Sequence, residues 1–462
     1  MQIFDTMRRK KVTLIPIKEN EVRMYLCGPT VYDYGHLGHG RSAIVFDLLR
    51  RYLLSRGYRV DFVRNWTDID DKTIDRAAQE GISVKELAEK FINIYREDFR
   101  KLNILEPDFE PKPTEHIGEI IDLIRQLFDR GHAYLLDDGV YYDISTFDEY
   151  GRLSGQPLEE LRSGARVEVS EGKRNPGDFV LWKFEKPGEP SWESPWGKGR
   201  PGWHIECSAM CIKYLGGEFD LHCGGQDLIF PHHEDEIAQA AGAGYRFARY
   251  WMHNGFLNIE GEKMSKSLKN FFTLREIFDT FSPLTVRFFL VSTHYRAPLA
   301  FSEETLKQSE AALGRFNDFI LRVKEVVETA KQSTEDANVS LLIQKAEKGF
   351  EEGLEDDLNV SRSLAALSDL LRDVNILIEK GKLSAMDAEK VLSFMKKVDQ
   401  VLGVFTFEKE MLPDEIERRI EQRNSARDRK DFQTADRIRN ELQELGIVLE
   451  DTKEGTRWKR MR

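Results

Sequence analysis

Val22-Arg23-Met24-Tyr25-Leu26, then a helix opened by His36-Leu37-Gly38-His39 and reaching Leu54, then Tyr58-Arg59-Val60-Asp61-Phe62-Val63, follow one another near the start of this 462-residue chain. Two short apolar runs flank a helical stretch that carries Phe46, Leu49 and Leu53, and Arg56-Gly57 closes it. Strand, helix and strand at this spacing make a βαβ unit, which requires parallel strands. The unit lacks Gly-x-Gly-x-x-Gly, so a dinucleotide site is disfavoured. Parallel-sheet texture returns at Phe219-Asp220-Leu221-His222, continues as a helix over 231–241 and ends as a strand over 250–257. Residues 83–105 and 114–131 read as helices.

The remaining texture divides the chain. From 133 to 202 short apolar pieces are broken by Gly, Pro and Ser, which marks a partly β insertion. After Ser302 apolar residues recur at three and four, as in Leu313, Phe316, Ile320, Val323 and Val327, and again in Leu364, Leu367, Leu371, Val374 and Ile378. Such stripes are the inner faces of a helical bundle. The expected fold is α/β: a Rossmann-like parallel-sheet domain with an insertion, followed by an all-α helical bundle and a small C-terminal domain. Its expected parts are 1–132, the insertion 133–202, the second half 203–267, a linker 268–301, the bundle 302–405 and the last domain 412–462.

Composition bounds the class of protein. Apolar residues make up 40 % and charged residues 32 %, as in a soluble globular chain. No apolar run is long enough to span a membrane, and the first residues lack a signal-peptide pattern. Four unevenly spaced cysteines do not suggest a disulfide framework, so a cytoplasmic location is expected. The net charge of −12 argues against indiscriminate nucleic-acid binding but leaves room for a local basic face. Residues 412–462 hold 13 basic and 12 acidic side chains, so this segment is +1 in an acidic chain. Arg419, Arg423 and Arg427 share a helical face there, and Thr456-Arg457-Trp458-Lys459-Arg460 mixes an aromatic with basic residues, a combination suited to RNA.

Two signatures carry the chemistry. His36-Leu37-Gly38-His39 opens a helix, whose N-terminus offers N–H donors and a positive dipole end to phosphate oxygens. About 225 residues later, Lys263-Met264-Ser265-Lys266-Ser267 brings two ammonium groups on a Ser-rich loop. Gly38 has no Cβ, so adenine can lie against the backbone. In this order the pair describes adenylyl transfer from ATP at its α-phosphate, a reaction that needs mainly positioning and charge stabilisation. Cys27, Cys207, and His232 with Glu236 four residues on, combine thiolate, imidazole and carboxylate, a donor set that suits zinc. His233 with Glu236 or Glu234 is an alternative that spacing leaves open. Cys211 and Cys223 read as buried thiols.

These residues resemble the cysteinyl-tRNA synthetases, a family of class I aminoacyl-tRNA synthetases. The likeness runs along essentially the whole chain. It is most specific in Met24-Tyr25-Leu26-Cys27-Gly28-Pro29-Thr30-Val31-Tyr32-Asp33, in Asn65-Trp66-Thr67-Asp68-Ile69-Asp70-Asp71-Lys72, over 202–210, in His222-Cys223-Gly224-Gly225-Gln226-Asp227 and over 230–239. The family signature has Ile where this chain has Leu37, a position that packs rather than reacts. The resemblance implies one zinc per chain on Cys27, Cys207, His232 and Glu236. It implies an ATP-binding Lys266, and a Gly225-Gln226-Asp227 segment whose carboxylate holds the adenylate ribose. Thr67 and Trp203, with Cys27, would line the amino-acid pocket.

It further implies L-cysteine, Mg-ATP and the cysteine tRNA as substrates, an anticodon-reading C-terminal domain, a monomer and no membrane partner. Zinc in such a pocket has a chemical reason. Serine is smaller than cysteine, and an apolar pocket separates close analogues by only about 1–3 kcal/mol. Sulfur, by contrast, is a far better zinc ligand than a neutral hydroxyl. Two other readings compete. A ligase that passes activated cysteine to a small amine, as in mycothiol synthesis, would lack the C-terminal segment. An idle RNA-binding paralogue would have lost a signature residue or a zinc ligand. Adenylyltransferases with a His-x-Gly-His motif are usually much shorter.

Overall fold

An antiparallel ribbon, β1 (Gln2–Asp5) and β2 (Lys10–Thr13), precedes the first parallel unit: β3 (Glu21–Leu26), α1 (Leu37–Ser55) and β4 (Arg59–Arg64). The computed structural model describes residues 1–156, 172–259, 262–263, 272–330, 337–408, 414–452 and 455–460. β3 and β4 pair in parallel from Glu21↔Arg59 to Leu26↔Arg64. Helices α2 (Asp71–Glu80), α3 (Val84–Lys101) and α4 (Ile117–Asp129) follow. The first of these has few apolar positions and was not expected.

The insertion forms its own antiparallel sheet of β5 (Ala133–Leu136), β6 (Gly139–Tyr142), β7 (Phe179–Phe184) and β8 (Gly199–Pro201), in that order. Val140, Tyr142, Leu181 and Trp182 join Ile120, Ile124 and Leu127 of α4 in one buried cluster. This cluster also takes in Ile205 and Ala209 of the helix Trp203–Leu215, so the insertion is fixed to the helix that follows it.

β9 (Glu218–Gly225), the helix Glu234–Gly242 and β10 (Phe247–Asn254) complete the parallel sheet. Its order is β10-β9-β3-β4, with every neighbouring pair parallel. The chain therefore steps from β3 outward to β4, and later from β9 outward to β10 on the other side. The C-terminal ends of β3 and β9 flank the point where that direction reverses, the place where open α/β sheets bind ligands. The expected helix over 231–241 begins later than the sequence suggests. Phe230 is extended, the Phe230–Pro231 peptide is cis, and regular α-helix starts at Glu234.

Beyond the sheet, β11 (Leu257–Ile259) pairs antiparallel with β12 (Glu262–Lys263) and parallel with β13 (Leu299–Phe301). The helix Glu303–Thr329 packs along Ala385–Leu402, and Ala337–Glu355 along Val360–Glu379. Leu313, Phe316, Ile320 and Val323 are buried as expected. In Val360–Glu379 the buried face is Val360, Leu367, Leu370 and Val374, while Leu371 and Ile378 are half-buried, a small rotation from the expected stripe.

Contacts divide the chain into two units, one of Met1–Phe278 with Ser282–Phe405, the other of Asp279–Phe281 with Thr406–Arg462. Within the second, the helices Asp414–Asp428 and Phe432–Glu444 pack with a hairpin, β14 (Ile447–Thr452) and β15 (Gly455–Arg460). Ile420, Ile438, Leu442, Ile447 and Leu449 are its core. Of the expected arginine stripe only Arg423 is buried; Arg419 is half-buried and Arg427 exposed, and all three are held in ion pairs. Arg423 is 2 % exposed and grips both oxygens of Asp451, at 2.5 and 2.7 Å. Arg427 also pairs with Asp451, and Arg419 pairs with Glu441 at 2.9 Å. Arg418, Arg429 and Lys430 remain exposed. Residues 456–460 belong to strand β15.

Candidate active site

Cys27 directly follows β3, and its N–H reaches the Cys223 carbonyl of β9 at 3.1 Å, so the sheet itself fixes this thiol at the switch point. Cys207 comes from the helix Trp203–Leu215, and His232 and Glu236 from the turn and helix after β9. Their ligand atoms all lie within 4.8 Å of one another. The two sulfurs are 4.0 Å apart, Cys27 Sγ is 3.6 Å from Glu236 Oε1, and His232 Nε2 is 3.1 Å from that same oxygen. Zinc bonds of about 2.3 Å to sulfur and 2.0–2.1 Å to nitrogen or oxygen place tetrahedral donors about 3.8 Å apart for two sulfurs, and about 3.6 Å for sulfur and oxygen. The donor set thus fits zinc in chemistry and in spacing.

Cys27, His222, His233 and Glu236 form a second quartet that shares two members with the first. His233 Nε2 is 3.3 Å from Cys27 Sγ, and His222 Nε2 is 2.8 Å from Glu236 Oε2. It offers one thiol instead of two, so the first quartet suits a thiophilic metal better. Glu234 is drawn elsewhere: its carboxylate accepts the N–H groups of Leu153 at 3.2 Å and Ser154 at 2.8 Å.

Burial pushes the Cys27 thiol and the Glu236 carboxyl well up, and holds His232 well below its usual range. The imidazole is therefore neutral, the form that binds metals. A cation at the quartet would reverse the shift of the thiol and the carboxyl.

Sequence reading missed the groups behind these ligands. His232 Nδ1 lies 2.8 Å from His204 Nδ1, and His204 Nε2 is 3.2 Å from Asp235, which also accepts the Tyr150 hydroxyl at 2.5 Å. On the other side His233 meets His253 at 2.8 Å, and His253 meets the Thr6 hydroxyl at 2.7 Å. Such outer partners orient metal-binding imidazoles. Local spacing carries no signal for them, because Tyr150 comes from the insertion and Thr6 from beyond β1.

Trp203 lies over the quartet, its ring stacked on His232 with centroids 4.4 Å apart, and is 38 % exposed. Thr67 is buried and accepts a hydrogen bond from Asn65 Nδ2 at 3.2 Å. Asn65 Oδ1 in turn accepts the Gly28 N–H at 2.8 Å, which places the segment after β4 beside the residue following Cys27. Asp227 is exposed just past β9, and a Cβ on Gly225 would stand 2.5 Å from its Oδ1 and turn the carboxylate aside.

His36 caps α1, and its signature partner returns the contact. His36 Nδ1 accepts the His39 N–H at 3.3 Å, and His39 Nδ1 accepts the His36 N–H at 3.4 Å, with the rings stacked 3.6 Å apart. In a neutral ring this sets the hydrogen on Nε2, so each imidazole is a donor from that side. Leu37 is fully buried, and Gly38 is half-buried between the two histidines. Lys263 ends β12 opposite Asn258, while Lys266 lies outside the described residues. Thr273 bridges to His36, and the Leu274 N–H donates to the Gly35 carbonyl at 2.8 Å.

Comparison with known proteins places this architecture. The family model for the tRNA synthetases class I (C) catalytic domain matches residues 13–311, that for the DALR domain 349–406, and that for the cysteinyl-tRNA ligase anticodon binding domain 410–458. A cysteine–tRNA ligase of Thermococcus onnurineus is 48 % identical over 474 residues, covering 100 % of this chain and 99 % of that protein. One of Desulforamulus reducens is 48 % identical over 486 residues, with 100 % of both chains covered. Among solved structures, Mycobacterium tuberculosis methionyl-tRNA synthetase in complex with methionyl-adenylate has a TM-score of 0.66 at 16 % identity, over 83 % of this chain and 92 % of that one, which shows the shared fold. Identity at this level from end to end, with all three domain matches in order, makes this chain a member of the cysteine–tRNA ligase family of class I aminoacyl-tRNA synthetases.

Proposed function

We propose that this chain joins L-cysteine to ATP and passes the cysteinyl group to the 3′ end of the cysteine tRNA. The observation that carries this reading is the buried Cys27–Cys207–His232–Glu236 quartet at the sheet's switch point, in a chain of this family. In the first half-reaction a carboxylate oxygen of cysteine attacks the α-phosphorus of Mg-ATP, the bond to the β-phosphate breaks, and pyrophosphate leaves. His36, His39, Lys263 and Lys266 donate to the phosphate oxygens, Gly38 receives the adenine, and Asp227 with Gly225 holds the ribose. Thr67 and Trp203 bound the amino acid. In the second, a hydroxyl of the terminal ribose of the tRNA attacks the carbonyl carbon and AMP leaves, the hydroxyl proton passing to solvent. Zinc on the quartet would supply a sulfur-selective contact that serine lacks.

In this reading the enzyme works as a cytoplasmic monomer. No helix among the described residues is long and apolar enough to cross a membrane. Cysteine-dependent exchange of pyrophosphate into ATP, measured with and without a zinc chelator and followed by charging of total tRNA, tests the proposal. Wild-type protein that exchanges at full rate without bound zinc would sink the metal assignment.

The second unit gives a further expected result. A chain ending at residue 410 keeps the whole sheet and the bundle, so it should still make cysteinyl-adenylate. It should charge tRNA poorly, mainly through weaker tRNA binding. Anticodon changes that weaken charging by the full chain should matter little to the short one. Equal sensitivity in both would move anticodon reading to the bundle. Since Arg419, Arg423 and Arg427 are held by Asp451 and Glu441, neutralising exposed Arg418, Arg429 and Lys430 should reduce tRNA affinity without loosening the fold.

A further inference from the structure

Arg41 sits on the first turns of α1, two residues after His39, and is 0 % exposed. No carboxylate among the described residues forms an ion pair with it. Its guanidinium instead donates to four backbone carbonyls: Nη1 to Gly255 at 2.9 Å and Phe256 at 2.6 Å, Nη2 to Tyr295 at 3.1 Å and Ala297 at 2.5 Å. Nε has no partner. Burying a charge without a counter-ion is costly, and its hydrogen bonds to carbonyls offset that cost only in part.

Backbone satisfaction does not account for this arrangement. The Gly255 carbonyl also accepts Asn254 Nδ2 at 3.2 Å, the Phe256 carbonyl accepts the Leu299 N–H at 2.9 Å, and the Tyr295 carbonyl accepts the Gly255 N–H at 2.8 Å. Three of the four acceptors therefore keep a donor without Arg41. What the side chain uniquely supplies is a tie between α1 and two strand entrances. Gly255 and Phe256 lead from β10 into β11, whose partner β12 ends at Lys263, and Tyr295 to Ala297 lead into β13. The two entrances cross so closely that a Cβ on Gly255 would stand 2.5 Å from the Arg296 carbonyl oxygen.

We propose that Arg41 is a positioning residue for adenylate formation, fixing the β12-β11-β13 sheet that carries Lys263 against the helix start that carries His36 and His39. It rests on the functional reading above, since only there do the two signatures act on one phosphate chain. Burial lowers the guanidinium pKa to about 10, so the side chain stays charged at neutral pH.

The test uses the full chain with Arg41→Met and Arg41→Lys, measured by cysteine-dependent pyrophosphate exchange, zinc content and thermal midpoint. A displacement of about 1 Å between reacting groups can lower a rate roughly a hundredfold. The Met variant should lose kcat by roughly that factor. Its KM for cysteine should stay within about twofold of wild type, because uniform binding is untouched. Its zinc content should be unchanged and its Tm should fall only modestly, since the half-buried Ala297 carbonyl is the one acceptor left without a protein donor among the described residues. The Lys variant, which keeps the charge and part of the donor set, should recover part of the rate. A Met variant with wild-type kcat overturns the proposal. So does a rate loss that only follows a fall in Tm, with Lys no better than Met. Should Met fail to fold, the Lys variant decides, through a lowered kcat at normal Tm. Wild-type protein without exchange would instead refute the functional reading, and this inference with it.

Discussion

Cys207→Ser is expected to abolish stoichiometric zinc in the purified protein and nearly all cysteine activation with it. Changes to groups behind a metal ligand already cost 10–100-fold in affinity or activity. Losing one of the two sulfur donors should exceed that, because a neutral hydroxyl is a poor substitute for a thiolate. Cys207 is 1 % exposed and packs among Tyr25, Met210 and Trp251, and Ser is nearly isosteric with it, so the fold should survive apart from stability lent by bound metal. Elemental analysis paired with pyrophosphate exchange measures both effects. His233→Ala supplies the contrast: it should retain more zinc than His232→Ala, since His233 belongs only to the quartet with one thiol. Zinc retained by the His232 variant and lost by the His233 variant would reassign the ligand.

His39→Ala is expected to slow adenylate formation by roughly 10²–10³, the usual cost of removing one donor to developing charge. The same change removes the His39 half of the reciprocal cap, the 3.4 Å contact from the His36 N–H. His36 Nδ1 still accepts the N–H at position 39, so the loss of stability should be below the about 0.5–2 kcal/mol typical of a lost N-cap residue. The two effects are separable. Tm should fall modestly, while kcat falls far beyond what any unfolded fraction could explain. KM for cysteine should hardly move, because this histidine stands at the helix start and not in the zinc quartet. Lys266→Ala should behave alike, without the loss in Tm. Near-normal pyrophosphate exchange in either variant would remove that residue from the chemistry. A rate loss repaired by stabilising the fold would leave His39 a cap alone.

Much of the architecture was legible because it is written in local periods. The β3-α1-β4 unit shows a short apolar run, then three-and-four spacing, then a second short apolar run, and the structure adopts it within a residue or two. The bundle stripes were equally plain. Long-range partners were not. Arg423 reads as a basic surface residue until Asp451, 28 positions away, folds against it. Likewise His204, His222 and His253 have no spacing that announces a role; parallel pairing of β9 with β10 sets the strands of His222 and His253 side by side, and His204 arrives on the helix Trp203–Leu215. At Pro231 the local rule misplaced the start of regular helix, yet the His232–Glu236 approach expected from four-residue spacing still appears, at 3.1 Å.

The middle pairing of the sheet has a consequence for how this protein is made. β3 joins β9 through Met24↔Leu221, so the first parallel strand gains its second neighbour only after nearly 200 further residues. At synthesis rates of about 5–20 residues per second, that interval is roughly 10–40 s on the ribosome. During it, one edge of β3 stays open as a row of unpaired donors and acceptors, a template for wrong partners. The insertion is synthesised inside the same interval and its antiparallel sheet has only sequence-near strands, so it can fold while β3 waits. Nascent chains stalled before β9 should therefore draw chaperones to the amino-terminal segment, and release them once β9 has emerged.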